Sequence, residues 1–268
     1  MKTRQMPDDT LAIARALRGR SGVRAPASLL PAVLGRVGLA ETYWKLSSPL
    51  GTVFAARGPR GISLVLRTDS AARFEREFRR RRGRNVVPDP SRPPRALVRV
   101  LSDLDTRSAS ALDLDLTGLT EFEQAVLRKA LEIPRGEVRP YGWIAREVGH
   151  PDAVRAAGSA LARNPIPMLI PCHRVVRSDG TEGGYVFGPG AKRELLEKEG
   201  ARPDVLRALG GAGVRFLGNE EKRYFCYPTC GGVDHLVQSN RVRFGSARDA
   251  IAAGYRPCED CRPAALAS

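Results

Sequence analysis

The 268-residue chain is longer than one average domain and long enough for two, or for two with a small metal module. Its formal net charge of +15 and pI near 10.4 point to a polyanionic partner, while deciding neither fold nor reaction. The longest apolar candidate, Leu29–Leu39, is interrupted by Pro31, Gly35 and Arg36, which argues against a membrane span, and Met1–Asp8 has no apolar signal core, so a soluble, cytoplasmic protein is expected.

In chain order, Asp8–Arg18 and Ala27–Val37 read as two short helices in an extension over residues 1–40. Trp44–Ala56 and Gly61–Arg67 alternate apolar and polar residues around the turn-forming runs Ser47–Gly51 and Arg57–Gly61, which predicts short antiparallel strands in a small mixed domain. Arg73–Arg84 follows as the most basic stretch, with Phe74 and Phe78 on one helical face. The charge excess is mostly N-terminal: residues 1–110 hold 22 Lys and Arg against 9 Asp and Glu, whereas residues 111–200 hold 12 against 13 and residues 201–268 hold 10 against 7. That stretch therefore reads equally as a solvated helix face or as a contact to the DNA backbone. Pro88–Arg95 is a proline-rich loop, Ala96–Leu101 a short helix, and a domain boundary falls near Asp113–Gly118.

From Thr120 the pattern turns helical. Phe122, Val126, Leu127, Ala130 and Leu131 share a stripe, Thr120 and Glu123 form a capping pair, and Ile133–Gly136 ends the helix. Tyr141–Val148 and Asp152–Leu161 are the next two helices. The last is built of small residues around Arg155, a face that fits closely against a flat partner such as a duplex, while Arg155 and Arg163 argue against its full burial.

Five cysteines divide as one plus four. Cys172 stands alone after Pro171 and beside His173, which is a nucleophile's setting. Cys226 and Cys230, in Cys-x3-Cys, and Cys258 and Cys261, in Cys-x2-Cys, have the spacing of a tetrahedral zinc site. A disulfide framework would require an oxidising compartment.

Taken together, Ile133–Gly136, Tyr141, Arg155-Ala156-Ala157-Gly158, Asn164-Pro165, Pro171-Cys172-His173-Arg174-Val175, Gly184-Tyr185, Leu195-Leu196 and Glu199-Gly200 resemble the C-terminal domain of O6-alkylguanine-DNA alkyltransferases. Tyr43–Gly118 is more weakly similar to that family's N-terminal ribonuclease-H-like domain. Val214–Pro263, with its four cysteines, is similar to the metal-binding domain of the Ada methylation-repair protein. The implied class is α+β: an extension over 1–40, a ribonuclease-H-like domain over 41–118, a helical, winged-helix-like alkyltransferase domain over 119–202, and an Ada-type zinc domain over 213–264.

The resemblance implies direct, irreversible, single-turnover transfer of an alkyl group from O6-alkylguanine, and from O4-alkylthymine, in duplex DNA to Cys172, with base flipping and a monomeric protein. His173 is then the base, acting through a water because neighbours on an extended segment point apart. Glu199 orients it, Asn164 is a further hydrogen-bond partner, and Tyr141 donates to the leaving guanine. Arg155 fills the gap left by the flipped base, Tyr185 walls the pocket, and the Val186 N–H faces guanine O6. Ala156, Gly158, Ser159 and Arg163 complete the DNA face. Zn2+ is implied at Cys226, Cys230, Cys258 and Cys261. Two roles stay open for Cys226, acceptor of a methyl group from phosphotriesters or zinc ligand only. Phe187 stands where many members carry a small residue, which puts the pocket size in question, while Ala157 and Leu127 look like packing variations. A lesion-binding protein without transfer and a cysteine hydrolase are the rival readings. No methylation-responsive activator is expected.

Overall fold

The structure, a computed structural model, describes residues 40–234 and 240–263, with residues 29, 33, 34 and 37 ahead of them. The helix expected over Asp8–Arg18, and most of that over Ala27–Val37, lies outside the described residues. The fold is mixed α+β.

Strands β1 (Ala40–Ser48), β2 (Gly51–Gly58) and β3 (Gly61–Arg67) form an antiparallel meander, and β4 (Asn85–Pro88) adds parallel to β1, giving the order β3-β2-β1-β4. The two sheet faces bury alternate residues, as a period of two requires. Tyr43, Phe54, Ala56 and Leu64 pack with Phe74 and Phe78 of helix α1 (Ala71–Arg82), whereas Trp44, Val53, Ala55 and Val65 join Leu97, Val100 and Leu101 of helix α2 (Arg95–Asp103) and the rest of the molecule. Ser70 caps α1 by accepting from Arg73 N, and Gly83 ends it in the left-handed region at φ 66°. At Gly61 (φ 110°) a Cβ would lie 2.1 Å from Asp113 O, so only glycine lets the β2–β3 turn pair with the segment entering the next unit.

Helix α3 (Glu121–Ala130) begins with the expected capping box, in which Thr120 Oγ1 accepts from Glu123 N and Glu123 Oε2 accepts from Thr120 N. The short strand β5 (Arg139–Pro140) leads directly into helix α4 (Tyr141–Glu147), and helix α5 (Val154–Ala162) packs on both α3 and α4. Helix α5 starts two residues later than the sequence suggests, because Pro151 and Asp152 are spent on a turn that Ala153 N closes onto His150 O. Cys172–Arg174 forms one 3-10 turn, not the extended segment expected, and leads into β6 (Val175–Val176), which pairs parallel with β5. Helices α6 (Pro189–Lys198) and α7 (Pro203–Gly211) follow.

Beyond them lies a small unit of β7 (Phe216–Asn219), β8 (Tyr224–Cys226), helix α8 (Gly231–Asp234), β9 (Arg241–Phe244), helix α9 (Ala247–Ala252) and β10 (Arg256–Pro257), with sheet order β10-β8-β7-β9. Its four cysteines belong to the same buried cluster as Trp143, Ile144 and Cys172, so the unit's core is continuous with that of the helical part. Among the described residues, no helix is long and apolar enough to cross a membrane.

Candidate active site and metal centre

The loop from Asn164 to Pro171 is fixed from three sides. Asn164 Oδ1 accepts from Ile166 N (2.9 Å), Val65 N of β3 donates to Pro165 O (2.9 Å), and Asn164 Nδ2 donates to Ile170 O (3.1 Å). The same amide group donates to Cys172 Sγ at 3.1 Å. A thiolate gains more from that donor than a thiol does, so the contact favours ionisation. Burial acts in the other direction and pushes the Cys172 thiol up, opposed by the Asn164 hydrogen bond and by the charge of Lys192.

His173 does not hydrogen-bond Cys172. Its Nε2 lies 3.0 Å from Glu199 Oε1, and its Nδ1 is buried without a partner among the described residues. Glu199 also receives Arg174 Nε (2.8 Å) and Nη2 (2.7 Å). Burial alone would push Glu199 up, but the hydrogen bonds from His173 and Arg174 and their charges outweigh it and hold the carboxyl at about 2. An ionised carboxylate only accepts, so the ring proton of a neutral His173 sits on Nε2 and Nδ1 is left as the basic nitrogen. Burial lowers His173, against the pull of Glu199, which favours that neutral form. Arg174 also donates to Thr106 Oγ1 (3.0 Å) and Ile133 O (2.6 Å), tying the turn to the first unit.

Cys172 lines a cavity of about 340 Å3 with Tyr141, Gly158, Leu161, Ala162, Gly184, Tyr185 and Val186. The Tyr141 ring is fenced by two glycines. A Cβ on Gly183 (φ 70°) would lie 3.0 Å from Tyr141 Oη, and one on Gly158 would lie 3.7 Å from the ring. Burial raises the Tyr141 hydroxyl, so it stays a proton donor. Tyr185 stands edge-on to His173 (6.1 Å between ring centroids) and to Phe187 (5.6 Å). Phe187 is not among the residues that line the cavity; its ring packs edge-on against Tyr185, so it bears on one wall without entering the pocket. No hydrogen bond among the described residues uses the Val186 N–H.

Outside the cavity, α5 exposes Arg155, Ala156 and Ser159, with Gly158 half-buried, while Ala157 and Ala160 face inward. Arg163, at the end of this face, pairs with Glu123 of the capping box. Ala157 and Leu127 are fully buried in the core, in keeping with packing variations.

Lys192 is the residue that sequence reasoning missed. Its side chain is 0 % exposed, and its Nζ donates to Val175 O (2.5 Å) and Gly184 O (3.4 Å) and lies 5.7 Å from the Tyr141 ring centroid. Burial draws it down to about 8, opposed mainly by the negative charge that Cys172 carries when ionised. The available signal was its place at i, i+3, i+4 and i+7 with Leu195, Leu196 and Glu199, a lysine on the inward face of α6.

The Sγ atoms of Cys226, Cys230, Cys258 and Cys261 lie within 4.8 Å of one another, and all four residues are buried. Zinc–thiolate bonds of about 2.3 Å set tetrahedral sulfurs roughly 3.8 Å apart, so the cluster fits zinc with little adjustment. Four enclosed thiols are also a soft donor set, one that zinc would hold as thiolates.

The model of the 6-O-methylguanine DNA methyltransferase DNA-binding domain matches residues 121–201, and that of the metal-binding domain of Ada matches residues 211–264. The methylated-DNA–protein-cysteine methyltransferase of Mycobacterium leprae (strain TN) is 47 % identical over 119 residues, which are 42 % of this chain and 70 % of that protein. The bifunctional transcriptional activator/DNA repair enzyme Ada of Escherichia coli (strain K12) is 36 % identical over 172 residues, 62 % of this chain but 47 % of Ada, so the chain spans about half the length of that relative. The crystal structure of Mycobacterium tuberculosis OGT in complex with DNA aligns with a TM-score of 0.47 at 32 % identity, covering 62 % of this chain and 99 % of that one. A buried cysteine, histidine and glutamate within the first matched segment, and four clustered thiols within the second, stand where those matches fall, and the chain belongs to the methylated-DNA–protein-cysteine methyltransferase family, with an Ada-type zinc-binding domain at its C-terminal side.

Proposed function

We propose that the protein repairs duplex DNA by moving the alkyl group of O6-alkylguanine, and of O4-alkylthymine, irreversibly to Cys172, each monomer acting once. The observation that carries the proposal is Cys172 Sγ on the wall of a base-sized cavity, with Asn164 Nδ2 at 3.1 Å and the His173–Glu199 pair behind it. The sulfur bonds to the alkyl carbon as the carbon–O6 bond breaks and leaves its electron pair on the guanine. The thiol proton passes through a bridging water to His173 Nδ1, and Tyr141 donates to the base as its negative charge grows. The Val186 N–H, which has no partner among the described residues, is placed to meet O6. A base inside a duplex cannot reach this cavity, so the nucleotide must flip out, with Arg155 on exposed α5 filling the stack.

In this reading residues 41–118 form a ribonuclease-H-like domain, residues 119–202 a winged-helix-like DNA-binding domain and residues 213–264 the zinc domain, after an extension over 1–40. Cys226, Cys230, Cys258 and Cys261 would hold zinc, which would keep their sulfurs deprotonated and join the two knuckles. The exposed Arg243, Arg248 and Arg256 suit a grip on the DNA backbone. Cys226 is 0 % exposed, so methyl transfer from a phosphotriester would require the module to open around its sulfur. Free thiols throughout suit a reducing compartment, the cytoplasm.

The test is to incubate the zinc-loaded protein with a duplex bearing O6-methylguanine and to locate the methyl group by intact mass and peptide mapping. One methyl on Cys172 per chain, absent in Cys172→Ser, is the expected result. Tight lesion binding with an unmodified Cys172 would overturn the mechanism.

A further inference from the structure

The knuckles that hold the zinc ligands are also the surface that grips the catalytic part. Between Cys226 and Cys230, Thr229 Oγ1 accepts from Val138 N (2.9 Å), and the Tyr227 ring lies 5.6 Å from the Arg139 guanidinium. Directly after Cys230, Gly231 N donates to Glu137 Oε1 (3.2 Å). Directly after Cys261, Arg262 pairs with Glu132 (3.0 Å) and Glu147 (3.0 Å), lies 5.7 Å from the Trp143 ring, and accepts from Arg146 Nη2 at its carbonyl. These contacts bracket one stretch, Glu137–Glu147, which is β5 and the whole of α4.

Helix α4 is also packed on α3 and α5 through Trp143, Ile144 and Ala145, so the part of the stretch that leans on these contacts is β5 and the Tyr141 end of α4. Strand β5 is two residues long and pairs only with the equally short β6, and such a pair is marginal alone. Yet β5 ends one residue before Tyr141, and β6 begins one residue after Arg174. Tyr141 lines two cavities. One is the 340 Å3 cavity with Cys172, and the other a cleft of about 700 Å3 that α4 shares with Arg215, Phe216, Tyr227, Pro228 and Pro263 of the zinc unit. With glycines 158 and 183 beside it and Lys192 Nζ 5.7 Å from its centroid, the ring takes its position from the backbone of the β5–α4 junction that carries it.

We infer that the zinc knuckles are a clamp on β5 and α4, so that metal occupancy sets the position of Tyr141 and, through it, the rate of alkyl transfer at Cys172. Thr229, Tyr227 and Arg262 are positioning residues in this account. The geometry of a four-cysteine knuckle exists only while the metal joins its two halves, because binding free energy at such a site is folding free energy. Without zinc the turns at 226–230 and 258–261 lose their common anchor, and the contacts to Glu132, Glu137, Val138 and Glu147 go with them. A displacement of about 1 Å in a donor that faces the reacting group can cost roughly 100-fold in rate.

The inference rests on the proposed alkyl transfer, and its test separates the two. Zinc stoichiometry, amide hydrogen exchange over residues 137–147 and single-turnover transfer from an O6-methylguanine duplex are measured on the full chain as isolated, after chelation, after zinc is restored, and for Arg262→Ala and Arg262→Lys. Chelation is expected to speed exchange over 137–147 and slow transfer tenfold or more, with both reversed by zinc. Arg262→Ala is expected to keep one zinc per chain and still show both effects, with Arg262→Lys recovering part of each. Should chelation unfold the chain, faster exchange in β1–β3 will reveal it, and Arg262→Ala decides alone. Unchanged exchange and rate in Arg262→Ala with zinc bound overturn the clamp. No transfer by the zinc-loaded wild type overturns the function, while the exchange data still judge the clamp.

Discussion

Glu199→Gln keeps the shape of the side chain and removes one buried charge. In the wild type the carboxylate is fully enclosed and neutralises Arg174 through two hydrogen bonds while holding His173. Its carboxyl is held at about 2, against an ordinary value of 4.5, so the folded state binds its proton less readily than the unfolded state does. The stability this contributes is fully present above pH 4.5 and disappears as the pH falls through 2. A difference of about 2.5 units at about 1.4 kcal/mol each gives on the order of 3 kcal/mol at neutral pH. The cost of leaving one partner of a buried ion pair unpaired is of the same size, roughly 3–5 kcal/mol. Urea unfolding of both proteins, followed by the fluorescence of Trp44 and Trp143, should therefore show Glu199→Gln less stable by about 3 kcal/mol at pH 7 and by roughly half that at pH 3. Comparison at equal pH cancels processes common to both, including zinc loss in acid. A difference below about 1 kcal/mol at pH 7, or one that does not shrink in acid, would refute the assignment of Glu199 as the counter-charge of Arg174.

Lys192→Met should move the pH midpoint of Cys172 alkylation by iodoacetamide, read by peptide mapping, to higher values, since the thiolate loses its cation; an unmoved midpoint removes the electrostatic role. Gly183→Ala should slow transfer and cost about 1 kcal/mol or more, because a Cβ at φ 70° is strained and lies 3.0 Å from Tyr141 Oη; a wild-type rate would show that Tyr141 is not held there. Phe187→Ala should release Tyr185 and raise the rate with a benzyl lesion relative to a methyl lesion several-fold, and an unchanged ratio would deny Phe187 any hold on the pocket. Arg73, Arg76 and Arg79 make no ion pair among the described residues, unlike Arg80 and Arg81, which share Glu77, but they ride on the sheet face opposite the catalytic part. Replacing all three by glutamine should leave the slope of log affinity against log salt on a short duplex unchanged, and a drop of about three would instead place α1 on the phosphates.

What the sequence made legible is what it encodes locally. The Thr120–Glu123 box, the Phe74–Phe78 stripe and the ends of α3 and α4 all follow from residues three or four apart. Cys172, His173 and the four clustered thiols stand in runs short enough to be read directly. Strand β4 was not legible, since Asn85–Pro88 is four residues ending in proline and becomes a strand only because β1 offers an edge. Arg174 stood inside the most distinctive run, but its burial depends on Glu199, Thr106 and Ile133 converging from three segments. The docking of the zinc unit is less local still: Val138 and Thr229 are 91 residues apart, and neither has a local reason to seek the other.

The same convergence explains why the site carries groups in strained ionisation states. Among the described residues, the charges enclosed with Cys172 are Arg174, Glu199 and Lys192, so with a neutral His173 and a thiol the pocket holds one uncompensated positive charge. Burial opposes both the lysine's charge and the thiolate's, which is why Lys192 is drawn down to about 8 and Cys172 is pushed up. Each is relieved by an anion in the cavity, because the interaction of Lys192 with an ionised Cys172 opposes both shifts. A negative charge arriving there, first on sulfur and then on the departing guanine, meets a cation and an amide donor already in place, with no reorganisation left to make. After transfer the sulfur is a neutral thioether, and the lysine keeps only the charge of Glu182 to oppose its burial. The Asn164 amide and Lys192 therefore offset part of the cost that burial places on the anion through which the proposed reaction passes, and that offset, beside the basicity of His173, is what this pocket adds to a buried cysteine.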